Sequence, residues 1–307
     1  MELRQLSYLV AVAEEGNFTR AAERVHISQS GVSAQIHQLE LDLGDRLINR
    51  SGRTATLTPA GEAALPHVRA VLAEAEAVRQ AVAEVTGVVR GRLVFGMVTA
   101  CTITPLFSAL SGFHADHEGV QLSVLEENSE QLIARVRTGE IDIALVGVAG
   151  DSPEGLQSFS IISEPIVAAV ATSHPLAGRG HVGIASVCAY PIVTMPKGTG
   201  IRTVFDQACA ANGVVADVAL EAAASATVAD LASRGLGVAI LSESITAALS
   251  GSLTMVGLDG VPSLATLAFV WGEHESPALR ELLRHFRSAF SPPPLRPNPG
   301  ASSTSEG

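Results

Sequence analysis

Apolar residues recur at helical spacing through the amino-terminal segment. Leu6, Leu9, Val10, Val12 and Ala13 form one stripe, which Gly16 ends, and Thr19 is placed to cap a second, short helix through Val25. Ser28 reads as the cap of a third helix. Within it Val32, Ile36, Leu39 and Leu43 fall at spacings of four, three and four, so one face is buried. The opposite face carries Gln29, Ser30, Ser33 and His37. Next, Leu47-Ile48 and Thr54-Ala55-Thr56-Leu57 flank Arg50-Ser51-Gly52-Arg53, a Ser-Gly turn with an arginine on each side, which predicts a β-hairpin.

Thr58 before Pro59 is a strong helix start, and the pattern then runs to about Val85 with Pro66 as its one breaker, expected to kink the helix. Val68, Val71, Ala75, Val78, Val82 and Val85 occupy successive a and d positions, with Arg69, Glu74, Glu76, Arg79 and Glu84 outside the seam. A seam this narrow suits either its own domain or a second copy of the chain. From Arg92 the period changes to strands, at 93–98, 120–125 and 141–146, separated by helical patterns at about 105–117 and 129–138. A second set begins near Glu164 and includes 191–195, 218–220 and 237–241, and Leu264 to Phe290 reads as a strand returning to the first set, followed by a closing helix. Apolar strands alternating with helices predict parallel sheets covered on both faces, with a hinge near 161–164 and 265–268. The tail Ser291-Pro292-Pro293-Pro294 through Gly307 has almost nothing apolar to bury and is expected to be disordered.

The polar face of the third helix carries the first candidate chemistry. Gln29, Ser33 and His37 lie four apart, short side chains able to hydrogen-bond base edges, with Gln29 near the positive end of the helix. Taken alone this is more readily a solvated face; beside it, Arg50 and Arg53 would make the hairpin a phosphate-gripping wing. Helix, turn, polar helix and basic hairpin together are the logic of a winged helix-turn-helix.

Composition narrows the options. At 307 residues and 47% hydrophobic content the chain can bury a core in more than one domain. Its net charge of −11 excludes a basic coat for indiscriminate nucleic-acid binding, and residues 1–58 hold six arginines against seven acidic residues, so any DNA affinity comes from placement. Cys101, Cys188 and Cys209 are too few and too dispersed for a disulfide framework or a zinc site, which fits a reducing compartment. The opening Met1-Glu2-Leu3-Arg4-Gln5 lacks a signal-peptide pattern and no apolar run suits a membrane span, so a cytoplasmic protein is expected. Pro196-Lys197-Gly198-Thr199-Gly200 lacks phosphate-loop spacing, the nine histidines show no ligand pattern, and no nucleophile motif occurs. No metal, no cofactor and no enzymatic activity are expected.

The run Phe18-Thr19-Arg20-Ala21-Ala22-Glu23-Arg24-Val25-His26-Ile27-Ser28-Gln29-Ser30-Gly31-Val32-Ser33, with Gln38-Leu39-Glu40-Leu41-Asp42-Leu43-Gly44, Arg50 and Leu57-Thr58-Pro59-Ala60-Gly61, resembles the LysR-type transcriptional regulators. The likeness continues to about Phe290 through Glu164-Pro165-Ile166 and His174-Pro175-Leu176-Ala177. Ala34, His37-Gln38 and Ile48-Asn49 depart from the family's usual residues. The resemblance implies an α/β protein with an amino-terminal winged helix-turn-helix at 1–58, a linker and dimerisation helix at 59–88, and a two-lobed effector domain like periplasmic solute-binding proteins at 89–290, before the tail at 291–307. Lobe I would take about 89–163 and 266–290, and lobe II about 164–265. It also implies a dimer, with assembly into a tetramer, on double-stranded DNA bearing an interrupted inverted repeat, with RNA polymerase as a candidate partner and no membrane.

In open α/β sheets ligands sit beyond the carboxyl ends of strands, where helix amino termini offer amides to an anion. That places Thr99, Cys101, Thr102, Asn128, Ser129, Lys197, Thr199 and Arg202 as candidate contacts for a small anionic or carboxylated effector, with Thr227 joining them if the family fold holds. Individually, each threonine is also a plausible helix cap, Lys197 a solvated charge and Cys101 a small buried hydrophobe.

Overall fold

A computed structural model describes residues 1–50, 54–85, 90–248 and 253–290. The wing tip with Arg53 and the tail at 291–307 lie outside the described residues, as do the side chains of Glu76, Arg79, Val82, Glu84 and Val85.

The amino-terminal unit comprises α1 (Leu3–Glu15), α2 (Phe18–Arg24), α3 (Gln29–Leu43), the hairpin β1 (Ile48–Asn49) and β2 (Thr56–Leu57), and the start of α4 (Pro59–Val85). Gly16 ends α1 in the left-handed region at φ 57°, a conformation that favours glycine. The cap of α2 is Asn17, not Thr19: the Asn17 side chain accepts from the Thr19 and Arg20 amides. Ser28 caps α3 through the Gly31 amide and Thr58 caps α4 through the Gly61 amide. Leu6, Leu9, Val12, Val32, Ile36, Leu39 and Ile48 form one core, which Val68 of α4 joins. Leu43 does not belong to that core and is exposed; its place on the inner face is taken by Glu40. α4 runs continuously through Pro66. Along it, Arg69 is buried although the heptad pattern put it outside the seam, whereas Val71 and Val78 of the seam are exposed.

The remainder forms two sheets. β3 (Gly91–Val98), α5 (Thr104–Asp116), β4 (Val120–Glu127), α6 (Ser129–Arg137), β5 (Ile143–Ala149) and β6 (Gln157–Glu164) precede the crossing to β7 (Ile166–Ala171), β8 (His181–Gly183), α7 (Ile184–Val187), β9 (Ile192–Thr194), α8 (Gly200–Ala211), β10 (Val218–Glu221), α9 (Ser225–Ser233), β11 (Val238–Ser242), α10 (Glu243–Ala248) and β12 (Leu253–Asp259). The chain then returns through β13 (Ala265–Trp271) to α11 (Pro277–Phe290). Strand order is β4-β3-β5-β13-β6 in the first sheet and β10-β9-β11-β7-β12-β8 in the second. The sheets are mixed rather than parallel throughout. β13 runs antiparallel to both β5 and β6, and β7 antiparallel to both β11 and β12, because the two crossing strands enter each sheet from the opposite end. Pro165, which has no N–H to continue a ladder, separates β6 from β7 at one crossing.

Aromatic packing anchors the first lobe: Phe95, Phe113, Phe269 and Phe286 are fully buried, and the Phe269 and Phe286 rings stack at 4.1 Å and 9°. The second lobe buries Val204 and Phe205 of α8 against Ile166, Ile192 and Ile240. The lobes touch where α8 begins. A Cβ on Gly200 would lie 2.5 Å from the Gly147 carbonyl carbon, so only glycine admits this approach, and the Glu130 amide donates to the Gly198 carbonyl at 3.2 Å.

Candidate nucleic-acid interface and ligand cavity

On α3, Gln29, Ser30 and His37 are exposed and Ser33 is half-buried. The Ser33 hydroxyl accepts from the Arg50 guanidinium at 2.9 Å, which ties the start of the wing to the polar stripe. Arg50 also pairs with Glu40 at 3.2 Å and lies over the Phe18 ring, 5.3 Å from its centroid. Held by a carboxylate, a hydroxyl and a ring, Arg50 keeps a fixed position with its side chain 40% exposed. Arg53, the other wing arginine, is among the residues not described.

Glu40 organises this corner, and the sequence pattern did not assign it a role. Its side chain is 6% exposed, one oxygen accepts from the Leu47 and Ile48 amides at 3.0 and 3.1 Å, and the other accepts from Arg50. The available signal was its spacing: four residues beyond Ile36, a carboxylate falls on the apolar face.

A cavity of about 590 Å³ lies between the two sheets, at the carboxyl ends of β3, β4 and β9. Thr99, Cys101, Thr102, Asn128, Ser129 and Thr199 line it; Lys197, Arg202 and Thr227 do not. Lys197 and Thr227 are exposed away from the wall. Arg202 turns into lobe II, where it pairs with Asp206 at 2.9 Å and with Glu221, and donates to the Met195 carbonyl. An arginine whose donors are spent on two carboxylates is a structural strut rather than a ligand contact. Of the six on the wall, Asn128 caps α6 through the Gln131 amide and Ser129 accepts from the Gly147 amide at 2.9 Å, so both also hold the fold. Side-chain caps are absent at the amino termini of α5, α8 and α9, which begin at the cavity with Ile103, Gly200 and Ser225 on its wall.

Sequence reasoning missed the acidic part of the wall: Glu126, Glu127 and Glu164. The first two directly precede Asn128, where a strand-end position was already marked. Burial pushes the Cys101 thiol above its ordinary pKa, and the nearby Glu126 charge adds to this, so the wall carries a neutral thiol. Away from the cavity, the Cys188 and Cys209 sulfurs lie 3.7 Å apart, in hydrogen-bond contact and without a disulfide. Burial first, then contact with Cys188, pushes Cys209 up to about 12.

Glu127 also begins a chain of ion pairs leading out of the cavity. It pairs with Arg135 at 2.7 Å, Arg135 with Glu140 at 3.2 Å, Glu140 with the buried Arg69, Arg69 with Glu14 at 3.0 Å, and Glu14 with Arg24 of α2 at 2.6 Å. Cavity wall, linker helix and helix-turn-helix are thus in continuous charged contact.

Two family models match the chain: "Bacterial regulatory helix-turn-helix protein, lysR family" over residues 3–62 and "LysR substrate binding domain" over residues 86–291. The chain belongs to the LysR family of transcriptional regulators. An uncharacterised helix-turn-helix regulator of this kind, YnfL of Escherichia coli strain K12, is 32% identical, covering 94% of this chain and 99% of that protein. A probable hydrogen peroxide-inducible genes activator of Mycobacterium avium is 34% identical over 78% of this chain and 77% of its own. Among solved structures, a full-length OxyR variant from Pseudomonas aeruginosa superimposes with a TM-score of 0.68 at 24% identity, covering 94% of this chain and 95% of that one, which supports the fold. This LysR-family chain therefore pairs a DNA-binding helix-turn-helix with an effector-binding domain of two lobes, the organisation of regulators rather than enzymes. No described helix is long and apolar enough to cross a membrane.

Proposed function

We propose that this regulator recognises a specific DNA site through Gln29, Ser30, Ser33 and His37 of α3, with Arg50 and Arg53 on the phosphates, and that a small anionic or carboxylated molecule in the interlobe cavity controls it. The exposed polar stripe, docked to the wing by Arg50 and Ser33, carries this reading. A homodimer, assembling further into a tetramer, would place two such helices on an interrupted inverted repeat, with RNA polymerase a partner at the promoter. Support for pairing comes from α4, where Val71 and Val78 remain 42% and 65% exposed in one chain. Support for an anionic group comes from the α5, α8 and α9 amino termini, whose amides have no side-chain caps beside the hydroxyls of Thr99, Thr102 and Thr199. A molecule that favours one lobe arrangement shifts the DNA-bound population only by its difference in affinity, about 1–3 kcal/mol for couplings of this kind.

The peroxide response named for the Mycobacterium avium relative is not part of this reading. Burial and contact with Cys188 push the Cys209 thiol up, which disfavours its thiolate and suits packing of the two sulfurs against each other.

Gln29→Ala is expected to weaken binding to the selected site by about 1–3 kcal/mol while leaving affinity for random DNA unchanged. Fluorescence anisotropy on both duplexes at fixed salt checks this, and equal losses on the two would remove Gln29 from base reading.

A further inference from the structure

Resting on the cavity as the effector site, we propose that the effector is a monocarboxylic acid with a large apolar body, a chain or ring system of about six or more carbons, held between the lobes chiefly by hydrophobic contact. Three apolar side chains from each lobe line the cavity: Ile103, Ile162 and Leu267 from lobe I, and Met195, Ile201 and Ile245 from lobe II. All six are half-buried. Ile103 and Leu267 rest on the lobe I core, and Ile201, Met195 and Ile245 on the cores of lobe II, each with surface left over where that packing gives out. Apolar surface facing water from both sides of one cavity is what an apolar molecule covers, with a gain roughly proportional to the area removed from water. At about 590 Å³ the space suits a drug-sized body and far exceeds what a small polar acid fills.

The polar side of the wall points the same way, because its groups are largely engaged within the protein. Asn128 accepts from the Gln131 amide, Ser129 from the Gly147 amide, and the Thr199 hydroxyl donates to the Pro196 carbonyl. A polyhydroxylated molecule would therefore give up its water without gaining equivalent partners. Glu126 and Glu164 bring negative charge to the wall with the neutral donors Ala100 and Ser244 as partners, and no lysine, arginine or histidine lines it among the described residues. A second carboxylate on the effector would meet that charge without a cation to offset it, so a monocarboxylate fits where a dicarboxylate does not.

The test is calorimetric titration of the purified full-length protein with the straight-chain acids from butanoate to octanoate, with octanedioate and octanamide beside them. Affinity is expected to rise about fourfold per added methylene, and octanoate to bind about tenfold or more tighter than octanedioate. Met195→Gln and Ile245→Thr, polar replacements of similar size on the lobe II wall, should each weaken octanoate about fivefold or more and butanoate less, so that either variant carries the test should the other fail to fold. Met255→Gln, exposed on β12 and away from the cavity wall, should change nothing. Affinity that does not grow with chain length would overturn the apolar body while leaving the anionic effector site intact. Octanamide binding as tightly as octanoate would instead overturn the anionic reading on which the proposal rests. Octanedioate matching octanoate, binding by no acid of the series, or equal losses in Met255→Gln and the two wall variants would overturn the proposal as well.

Discussion

Glu40→Ala is expected to lower the unfolding free energy of the amino-terminal unit by about 3 kcal/mol or more, the largest effect of any single polar side chain there. The substitution strands the Leu47 and Ile48 amides, which have no other acceptor for the turn into the wing, and removes the carboxylate that fixes Arg50. Each buried donor left without a partner costs about 1–3 kcal/mol, and the freed Arg50 loses its registry with Ser33. Glu40→Gln separates these contributions: its amide oxygen still accepts from the two backbone donors, while its NH₂ group cannot hold a guanidinium. Stability should then largely recover and DNA affinity should not. Urea unfolding with anisotropy on the same variants measures both, and a loss below about 1 kcal/mol for Glu40→Ala would mean that water replaces the carboxylate.

Arg69→Ala is the second large effect, about 3 kcal/mol, the lower end of the range for breaking a buried ion pair because Glu14 and Glu140 retain some contact with water. Removing the guanidinium leaves two carboxylates from different domains facing one another. Arg69→Lys should recover only part, since an ammonium cannot present a planar fork to both glutamates. Beyond stability, the substitution cuts the charged chain between Glu127 at the cavity and Arg24 in the helix-turn-helix. A double-mutant cycle of Arg69 with Glu140 is expected to show a coupling above about 1 kcal/mol, and strictly additive losses would remove the bridge from the coupling route.

What could be read in advance followed the range of the interactions involved. The inner stripe of α3, the Ser28 and Thr58 caps, and β3, β4 and β5 with their helices depend on residues a few positions apart, and local spacing revealed them. The Asn17 cap was passed over because Phe18, a bulky apolar residue, opens α2 and drew the boundary toward Thr19. β6, β8 and β12 escaped because their position is set by partners distant in sequence: β6 pairs with β13 more than a hundred residues later, and the antiparallel insertion of β13 made the sheet mixed.

The site followed the same division. Thr99, Cys101, Thr102, Asn128, Ser129 and Thr199 reach the cavity because the ends of strands and the starts of helices converge there in this architecture. Arg202 sits at the same helix start, yet its partner Asp206, one turn along α8, and Glu221 across lobe II capture it. Glu40, Arg69 and Glu127 were invisible as functional groups since a charged residue reads as surface until its buried partners are known.

The account stands on sequence-specific DNA recognition by the α3 face. Selection of fragments from a genomic DNA pool by the purified full-length protein, at modest salt, addresses it most directly. Enrichment of an interrupted inverted repeat, with half-sites spaced by about one helical turn or a multiple of it, is the expected result. Recovery of fragments without any shared motif, in the presence or absence of small carboxylated molecules, would contradict it.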